Sequence, residues 1–258
     1  MPISETFNTD CLLYLKDCKD KQFDIGVCDP PWGIDVANMA YLTEVNTTVK
    51  QKNGSRLNGN KQKQIHIKKD WDLTSPTQEY FNELRRVTKH QIIFGVDYFD
   101  WEGIGTGRIK WNKMFAEGMS FKSYEMAYCS LIDDEIEIKL LWAGMCQAES
   151  LDFPTTQQGN KKKNEKRIHP CHKPILLYKM IYQMFVKEGW SIYDSHLGGQ
   201  SSRIAAYDMG IDFYGNENDF DYFTQGNARF ETHRTKCEEI KEESWSRTEV
   251  QKIYPTLF

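Results

Sequence analysis

Residues 190–217 read WSIYDSHLGGQSSRIAAYDMGIDFYGNE, and this stretch decides the fold. The pattern predicts a β-strand at 190–194, a tight turn at 197–199, a helix at 201–209 and a second strand at 211–217. Such a succession is the βαβ unit of a parallel sheet. The two glycines of the turn allow a ligand to approach the backbone, and Glu217 at the second strand's end suits a ribose diol. A tight strand-to-helix connection without any ligand fits the same residues.

A second strand end of interest lies upstream, where FDIGVC at residues 23–28 is followed by DPPW at residues 29–32. Neither proline has an N–H group for a strand ladder, so the strand must stop and leave Asp29 at its carboxyl end. An exocyclic amine donates two hydrogen bonds, which the Asp29 carboxylate and the Pro30 carbonyl can accept. Trp32 can stack on a base flipped out of a duplex. A proline-terminated strand with a turn explains the prolines but gives Asp29 and Trp32 no role.

The rest of the chain alternates between helix and strand patterns. Ser75 and Pro76 predict the N-cap and the first position of a helix that runs to about residue 89. Apolar runs predict strands at 91–95, 108–111, 124–130 and 136–142. A predicted helix at 173–187 places on one face Leu177, Ile181, Met184 and Phe185. This alternation predicts an α/β fold with a mainly parallel sheet.

The bulk composition limits the classes of protein that fit. With 258 residues and 40% hydrophobic content, the chain can bury a core as one catalytic domain, predicted at 1–233, followed by a charged helix and tail at 234–258. Seven cysteines lie scattered without paired spacing, which predicts reduced thiols and a cytoplasmic protein. We expect no membrane segment, because no apolar stretch approaches the length of a span.

The net charge of −4 argues against a surface that binds nucleic acid throughout, so such binding must depend on local basic segments. Two occur, at about 45–70 and 157–168, and the first has no acid between residues 50 and 69. They predict phosphate contacts by Lys61, Lys63, Lys68, Lys69, Lys161, Lys162, Lys163 and Arg167. Solvated charged loops explain each segment equally well on its own. We expect the first segment to become ordered only when nucleic acid is bound.

In their order along the chain, these motifs resemble those of the beta-class amino-methyltransferases of DNA, in which the catalytic segment precedes the cofactor segment. DPPW at 29–32 resembles the family's DPPY/W catalytic motif, and HPCHKP at 169–174 resembles its HPTQKP motif. NTDCL at 8–12 is similar to its GDC segment, DSHLGG at 194–199 to its DPFxGSGT cofactor loop, and FYGNE at 213–217 to its FIGxE strand. Asp221, Tyr222 and Arg229 fit the end of that signature, so the resemblance covers about residues 8–230.

The resemblance implies a Rossmann-like fold of seven-stranded type, with both binding sites at the carboxyl ends of parallel strands. It implies S-adenosyl-L-methionine as cofactor, DNA as partner and adenine N6 as the methylated atom, by direct in-line transfer without a metal. The base would be held by Asp29, Pro30, Pro31 and Trp32. The cofactor would be bound by Asp10, Cys11, Lys173, Asp194, His196, Gly198, Gly199, Glu217 and Asn218. Among these, Lys173 would hold the cofactor carboxylate and Glu217 the ribose.

The chain departs from the family pattern at the cofactor loop. Ser195 and His196 replace the usual Pro-Phe, and Gln200 stands where a small residue is common, which resembles the loops of phage-type members. One alternative is therefore a DNA-binding homologue with impaired cofactor binding, although the retained Asp29 and Trp32 speak against it. Cytosine N4 is another alternative, but that subgroup usually has serine where Asp29 stands, and RNA is a weaker third substrate. The sequence leaves the oligomeric state open, a homodimer included.

Overall fold

A computed structural model describes residues 1–39, 67–114 and 122–240 in full, together with the backbone of residues 49–50, 56–57 and 241–253. Its strands are β1 (Ser4–Phe7), β2 (Phe23–Cys28), β3 (Val49–Lys50), β4 (Arg56–Leu57), β5 (Thr88–Phe94), β6 (Arg108–Asn112), β7 (Tyr124–Cys129), β8 (Glu135–Lys139), β9 (Trp142–Ala143), β10 (Cys146–Gln147), β11 (Ser191–Asp194) and β12 (Asp212–Asn216). Its α-helices are α1 (Cys11–Asp17), α2 (Gln78–Val87), α3 (Ile175–Phe185), α4 (Ser201–Asp208) and α5 (Phe220–Ile253).

One eight-stranded sheet forms the centre of the fold, in the order β1-β12-β11-β2-β5-β7-β6-β8. Its neighbouring strands run parallel except at β7, which is antiparallel to both β5 and β6. The short pairs β3·β4 and β9·β10 lie outside this sheet. The predicted α/β fold with a mainly parallel sheet is confirmed, with eight strands where seven were expected.

Helices cover both faces of the sheet, because successive strand residues point in opposite directions. Ile92 joins the apolar cluster of α3, which includes Leu177, whereas its neighbour Ile93 joins the cluster of α1 and α2, which includes Leu15 and Leu84. All five side chains are fully buried. Burying a side chain of this size contributes about 1.5–3 kcal/mol, so the two clusters hold the helices against the sheet.

The predicted alternation of helix and strand is wrong between residues 88 and 147. Strands β5 to β10 follow one another there without an α-helix in the described residues, and β7 enters the sheet antiparallel. The strand positions were predictable because the apolar runs are clear. The direction of β7 was not, since a short apolar strand has the same pattern whichever way it runs.

The start of α2 also differs from the sequence-based expectation. Its N-cap is Thr77 rather than Ser75, and the Thr77 hydroxyl accepts a 3.4 Å hydrogen bond from the Tyr80 N–H. Threonine and serine are both favourable caps, so residue type alone could not choose between the two positions. Ser75 and Pro76 instead border the cavity described below.

One predicted core residue of α3 is misplaced. Leu177 and Ile181 are buried as expected, but Met184 is 52% exposed. Tyr178 and Tyr182 fill the core in its place, because the buried face of the helix is rotated toward them. An amphipathic pattern locates the helix better than it locates each member of the buried face.

Helix α5 is continuous from Phe220 to Ile253 and therefore passes through the boundary expected at 233/234. Residues 254–258 of the expected tail lie outside the described residues. Among the helices that the structure describes, none is both long and apolar enough to cross a membrane.

The sheet topology brings the predicted site residues to one edge. Strands β1, β12, β11 and β2 are consecutive parallel neighbours, so their carboxyl ends lie side by side. Asp10 comes after β1, Glu217 after β12 and Asp29 after β2, while Asp194 ends β11. Four carboxylates that are distant in sequence thus meet at the edge where α/β proteins bind their ligands.

Candidate active site

A cavity of about 780 Å³ opens at this edge of the sheet. Most of the residues predicted to hold a base or a cofactor border it: Asp10, Cys11, Asp29, Pro31, Lys173, His196, Gly198, Gly199, Glu217 and Asn218. Pro30, Trp32 and Asp194 do not line it. The volume suits a small-molecule ligand, so the structure places the two predicted sets of residues around one binding space.

Asp194 forms hydrogen bonds on both sides of the Gly198-Gly199 turn. Its Oδ2 accepts a hydrogen bond from the Ser202 hydroxyl at 2.5 Å, and its Oδ1 accepts one from the His196 N–H at 3.1 Å. Burial raises the pKa of Asp194 to about 7. The Gly198 backbone has φ +46°, a left-handed conformation that glycine adopts without strain. Asp194 therefore fixes the turn rather than bordering the cavity.

Glu217 is fixed at the opposite side of the same turn. Its Oε2 accepts a 2.8 Å hydrogen bond from the Gly198 N–H, and its Oε1 accepts one of 2.8 Å from the Asp219 N–H. Burial raises the pKa of Glu217, and these two N–H groups lower it in part. Each carboxylate oxygen keeps a second lone pair, so the group can still accept hydrogen bonds from a ligand.

Ser195 and His196, which depart from the family pattern, join a row of polar groups in the cavity wall. Ser195 Oγ lies 2.6 Å from Tyr80 Oη and 2.8 Å from His196 Nδ1, and His196 Nε2 lies 3.7 Å from Cys11 Sγ. Burial lowers the pKa of His196 to about 4, so the ring is neutral at pH 7. The altered loop thus presents an uncharged, hydrogen-bonded wall.

Asp29 borders the cavity immediately after β2, and the ammonium group of Lys173 contacts its Oδ2. The other oxygen, Oδ1, is buried and accepts no hydrogen bond of normal geometry from the described residues, although the Trp32 side chain lies near enough to the carboxylate to lower its pKa slightly. Burial raises the pKa of Asp29, and the charge of Lys173 offsets part of that rise. A buried acceptor without a donor is unfavourable, so a donor from a ligand would be stabilised there.

The Trp32 indole already has an aromatic partner. It stacks on Tyr98, with 4.8 Å between the ring centroids and 17° between the planes. It also lies against the backbone of Gly95, where an added Cβ atom would overlap the indole. In the cavity lining itself, Trp71 lies 4.9 Å from the ring of His169. The structure therefore offers Trp71, which the sequence did not suggest, as a second aromatic surface for a base.

The loop after Pro31 is held by a carboxylate that the sequence also did not suggest. Asp72 is 1% exposed and accepts hydrogen bonds from the backbone N–H groups of Trp32 at 2.8 Å, Gly33 at 3.0 Å and Val36 at 2.8 Å. Bonds from backbone N–H groups to a carboxylate are among the stronger ones in proteins. Asp72 therefore fixes the loop from Trp32 to Val36, although no local motif connects it to DPPW.

Glu165 lies in the segment predicted to be a basic loop, yet its carboxylate joins that segment to the site. Its Oε1 lies 2.8 Å from His172 Nε2 and 2.5 Å from a guanidinium nitrogen of Arg229, and its Oε2 accepts a 3.0 Å hydrogen bond from the Ile175 N–H. His172 packs so closely on Gly199 that a Cβ atom there would overlap its ring. Glu165 thus links the basic segment at 157–168 to the Gly198-Gly199 turn through His172.

The first predicted DNA-binding segment is described only in part, because Lys61 and Lys63 lie outside the described residues. Lys68 is exposed. The Lys69 ammonium pairs with Asp219 at 2.6 Å and with Asp221 at 2.7 Å, so a phosphate would compete with two carboxylates for it. The expectation that this segment is ordered by nucleic acid falls mainly on residues outside the described part and stays a prediction.

The second basic segment is described throughout. Lys161, Lys162 and Lys163 are exposed on a short 3-10 turn, whose cap Asn160 accepts a 3.0 Å hydrogen bond from the Lys162 N–H. The Arg167 guanidinium, in contrast, already contacts other groups of the protein. Its guanidinium lies 4.3 Å from the centre of the Trp142 ring and donates a 2.9 Å hydrogen bond to the Gly144 carbonyl. The three lysines are thus more available to a phosphate than Arg167.

One group of side chains in the described residues has the donor set of a metal site. Asp208, His233 and Cys237 bring one ligand atom each within 4.8 Å of one another, where α4 meets α5. Asp208 is already engaged, because its Oδ1 lies 2.6 Å from His233 Nε2 and its Oδ2 lies 2.6 Å from Lys179 Nζ. We interpret the group as an ionic contact between helices and assign no metal to it.

Several solved structures are similar to the chain. M1.HpyAVI complexed with SAM has 15% identity and a TM-score of 0.49, covering 87% of this chain and 98% of its own. TTHA0409 of Thermus thermophilus, complexed with S-adenosyl-L-methionine, has 15% identity and a TM-score of 0.47. The match covers 90% of this chain and 96% of TTHA0409. The cytosine-N4-specific PvuII DNA methyltransferase has 11% identity and a TM-score of 0.50, covering 89% and 87%, a likeness of fold. A comparison with curated protein sequences gives no match.

A family model also matches the part of the chain that contains these motifs. The family model N6_N4_Mtase, described as DNA methylase, matches residues 19–228. This range contains DPPW, HPCHKP, the Gly198-Gly199 turn and Glu217, and each of these contributes at least one residue to the cavity lining. The match spans well over half of the chain and confirms the resemblance seen in the sequence. The chain therefore belongs to the N6/N4 family of DNA methylases.

Proposed function

We propose that the chain transfers a methyl group from S-adenosylmethionine to the N6 amine of adenine in DNA. The observation that carries this proposal concerns Asp29, whose Oδ1 has no donor among the described residues, and which shares one cavity with the Gly198-Gly199 turn and Glu217. Membership of the DNA methylase family supplies the class of reaction. A base amine and a cofactor bound in this one cavity would meet directly.

The residues around the turn fit S-adenosylmethionine. At Gly199 the packing of His172 leaves no room for a Cβ atom, so bare backbone forms the turn. The Glu217 carboxylate is held by two backbone N–H groups in a fixed orientation and can accept hydrogen bonds from ribose hydroxyls. The bound cofactor supplies a methyl group that is already activated on a sulfonium.

Asp29 and Pro30 perform the protein's part of the chemistry. The amine would donate one hydrogen bond to Oδ1 of Asp29 and one to the carbonyl of Pro30, which stands in the chain between the cavity-lining Asp29 and Pro31. These two bonds would draw the nitrogen toward sp³ geometry and free its lone pair. The bound cofactor would supply the methyl group and be left as a neutral thioether, and the proton released by the methylated amine would pass to solvent. Holding both reactants in one cavity lowers the barrier through proximity, and the enzyme forms no covalent intermediate.

Two features support adenine in DNA as the target. A carboxylate, Asp29, stands where the cytosine-N4 members of the resembled class usually have serine. The exposed turn Lys161–Lys163 supplies phosphate contacts on the same segment as Glu165, which reaches the cofactor turn through His172. DNA bound along this segment would therefore lie close to the cavity.

Asp29→Ala tests the proposal most directly. The protein is incubated with unmethylated DNA and radiolabelled S-adenosylmethionine, and the DNA is digested to nucleosides to identify the product. We expect N6-methyladenine with the wild type and with the exposed control Asp134→Ala, and no product with Asp29→Ala, while calorimetry shows similar cofactor affinity for all three proteins. N4-methylcytosine would move the proposal to the other base, and turnover by Asp29→Ala would refute the role of this carboxylate.

A further inference from the structure

Behind the catalytic strand end, four charged side chains form one row of alternating sign. Lys113 contacts Glu125 Oε1, Lys173 Nζ lies 3.3 Å from Glu125 Oε2, and Lys173 also contacts Asp29 Oδ2. Glu125 belongs to β7, the antiparallel strand whose direction the sequence did not predict. The row therefore connects the middle of the sheet to Asp29, and its two positive and two negative charges balance.

The three side chains at the Asp29 end of this row are largely shielded from solvent. The Lys173 side chain is 4% exposed, and those of Glu125 and Asp29 are 13% and 15% exposed. The Lys173 ammonium also lies 5.0 Å from the centre of the Trp32 ring and 4.7 Å from that of Phe94. Charges interact far more strongly in such surroundings than in water, so this ammonium lowers the pKa of Asp29 against the larger rise that burial causes.

We propose that Lys173 is a positioning residue for methyl transfer: held by Glu125 against Oδ2 of Asp29, it keeps Asp29 ionised and leaves Oδ1 for the target amine. This inference rests on the proposed function. It gives Lys173 a different task from the one that the sequence resemblance implies, which is to hold the carboxylate of the cofactor.

The electrostatic surroundings support this assignment. Desolvation alone would lower the pKa of Lys173, but the charges of Asp29 and Glu125 outweigh it and raise that pKa, so the lysine stays protonated. For Asp29, burial raises the pKa, Lys173 lowers it and Glu125 raises it further. Other titratable groups that interact with Asp29 are Cys171, Asp194 and Tyr178. Lys173 is thus the cation that opposes the protonation of Asp29.

The contacts also argue against a primary role in holding the cofactor. The Lys173 ammonium contacts Asp29 Oδ2 and forms an ion pair of 3.3 Å with Glu125 Oε2, so it already has two anionic neighbours. A cofactor carboxylate would add a third anion to a site whose charges already balance. Loss of Lys173 should therefore affect Asp29 more than it affects cofactor binding.

The two roles predict opposite results for Lys173→Met. The pH dependence of methyl transfer is measured in single-turnover reactions, and cofactor affinity is measured by calorimetry. We expect the acid limb of the rate profile to move to higher pH by about one unit or more, since an adjacent opposite charge lowers a carboxyl pKa by 1–3 units. Cofactor affinity should change less than threefold. Lys179→Met, on α3 and paired with Asp208 outside the cavity, is the matched control and should leave both quantities unchanged.

Glu125→Gln provides a second test with the opposite sign. The amide keeps the size of the carboxylate, but the negative charge that raises the pKa of Asp29 is gone, so the acid limb should move to lower pH. The carboxyl carbon of Asp29, assigned in the NMR spectrum by its loss in Asp29→Asn, reports the same two shifts without any turnover. The NMR titration of Asp29 can be measured even if the protein methylates no DNA. A protein that methylates no DNA would refute the proposed function but not the effect of Lys173 on Asp29.

Two results would overturn the inference. A tenfold or greater loss of cofactor affinity in Lys173→Met, with an unshifted Asp29 titration, would assign the lysine to the cofactor. Shifts of the same sign in Lys173→Met and Glu125→Gln would show that their charges do not act on Asp29 as the row requires.

Discussion

The Glu217 carboxylate stands in a fixed position before any ligand arrives, because the backbone N–H groups of Gly198 and Asp219 each donate to one of its oxygens. We predict that Glu217→Ala weakens the binding of S-adenosylmethionine about 10- to 100-fold, since a hydrogen bond to a charged group contributes about 1.5–3 kcal/mol. Calorimetry measures the change directly. The exposed Glu188→Ala serves as control, and an unchanged affinity in Glu217→Ala would place the ribose elsewhere.

At this scale the sequence predicted that Asp29 and Glu217 stand at strand ends, because each follows a strand pattern within a short motif, and both border the cavity. It did not identify Asp72 or Glu125. Asp72 acts on Trp32, which lies 40 positions away, and Glu125 acts on Lys173 from a strand whose direction was unknown. Partners that are joined only by the folded chain leave no local spacing to detect. The same limit hid the contact of Lys173 with Asp29.

At the scale of the element, the loop from Pro31 to Val36 depends on Asp72, a single buried carboxylate. Asp72→Ala would leave the N–H groups of Trp32, Gly33 and Val36 without an acceptor. We predict a loss of unfolding free energy on the order of 3 kcal/mol, because buried N–H groups without a partner each carry a desolvation cost. Denaturant unfolding gives the stability, and methyl transfer should fall more than cofactor affinity does.

Asp72→Asn is the graded control for this loop. Its remaining carbonyl oxygen can still accept from Trp32 and Gly33, so it should retain more stability and more activity than the alanine variant. If both variants keep the stability and the activity of the wild type, the carboxylate is not what fixes the loop.

Most strands and helices were predicted from their apolar patterns with small errors at their ends, but β1 and α1 were not predicted. The start of α2 was misplaced because Ser75 and Thr77 are both cap residues, and Met184 was misplaced because a helical face has no sharp border. The antiparallel β7 was a larger miss, and its physical reason is that strand direction depends on the connections around it. Connections are properties of the fold rather than of the strand.

At the scale of the whole molecule, a chain with a net charge of −4 must bind DNA through local positive surfaces. The described candidate is the exposed turn Lys161–Lys163. We predict that changing all three lysines to glutamine flattens the plot of log affinity against log salt by about 0.9 for each phosphate that is no longer neutralised. Fluorescence anisotropy with labelled DNA between about 50 and 200 mM salt measures this slope.

The exposed Lys139→Gln on β8 is the control for that series and should keep the wild-type slope. Parallel slopes for the triple variant would transfer the DNA contacts to the segment at 45–70. Substitutions in that segment should spare Lys69, because its pairing with Asp219 lies next to Glu217 and would confuse DNA binding with cofactor binding.

The position of Trp71 in the cavity wall makes it an optical indicator. Tryptophan fluorescence responds to the polarity around the indole, and Trp71 is the tryptophan that lines the cavity among the described residues. Trp101 and Trp111 are buried in the apolar core and do not line the cavity. A molecule that displaces water from the cavity should therefore shift the emission toward the blue, and Trp71→Phe should abolish that shift. The protein can thus report the filling of its own site without a label.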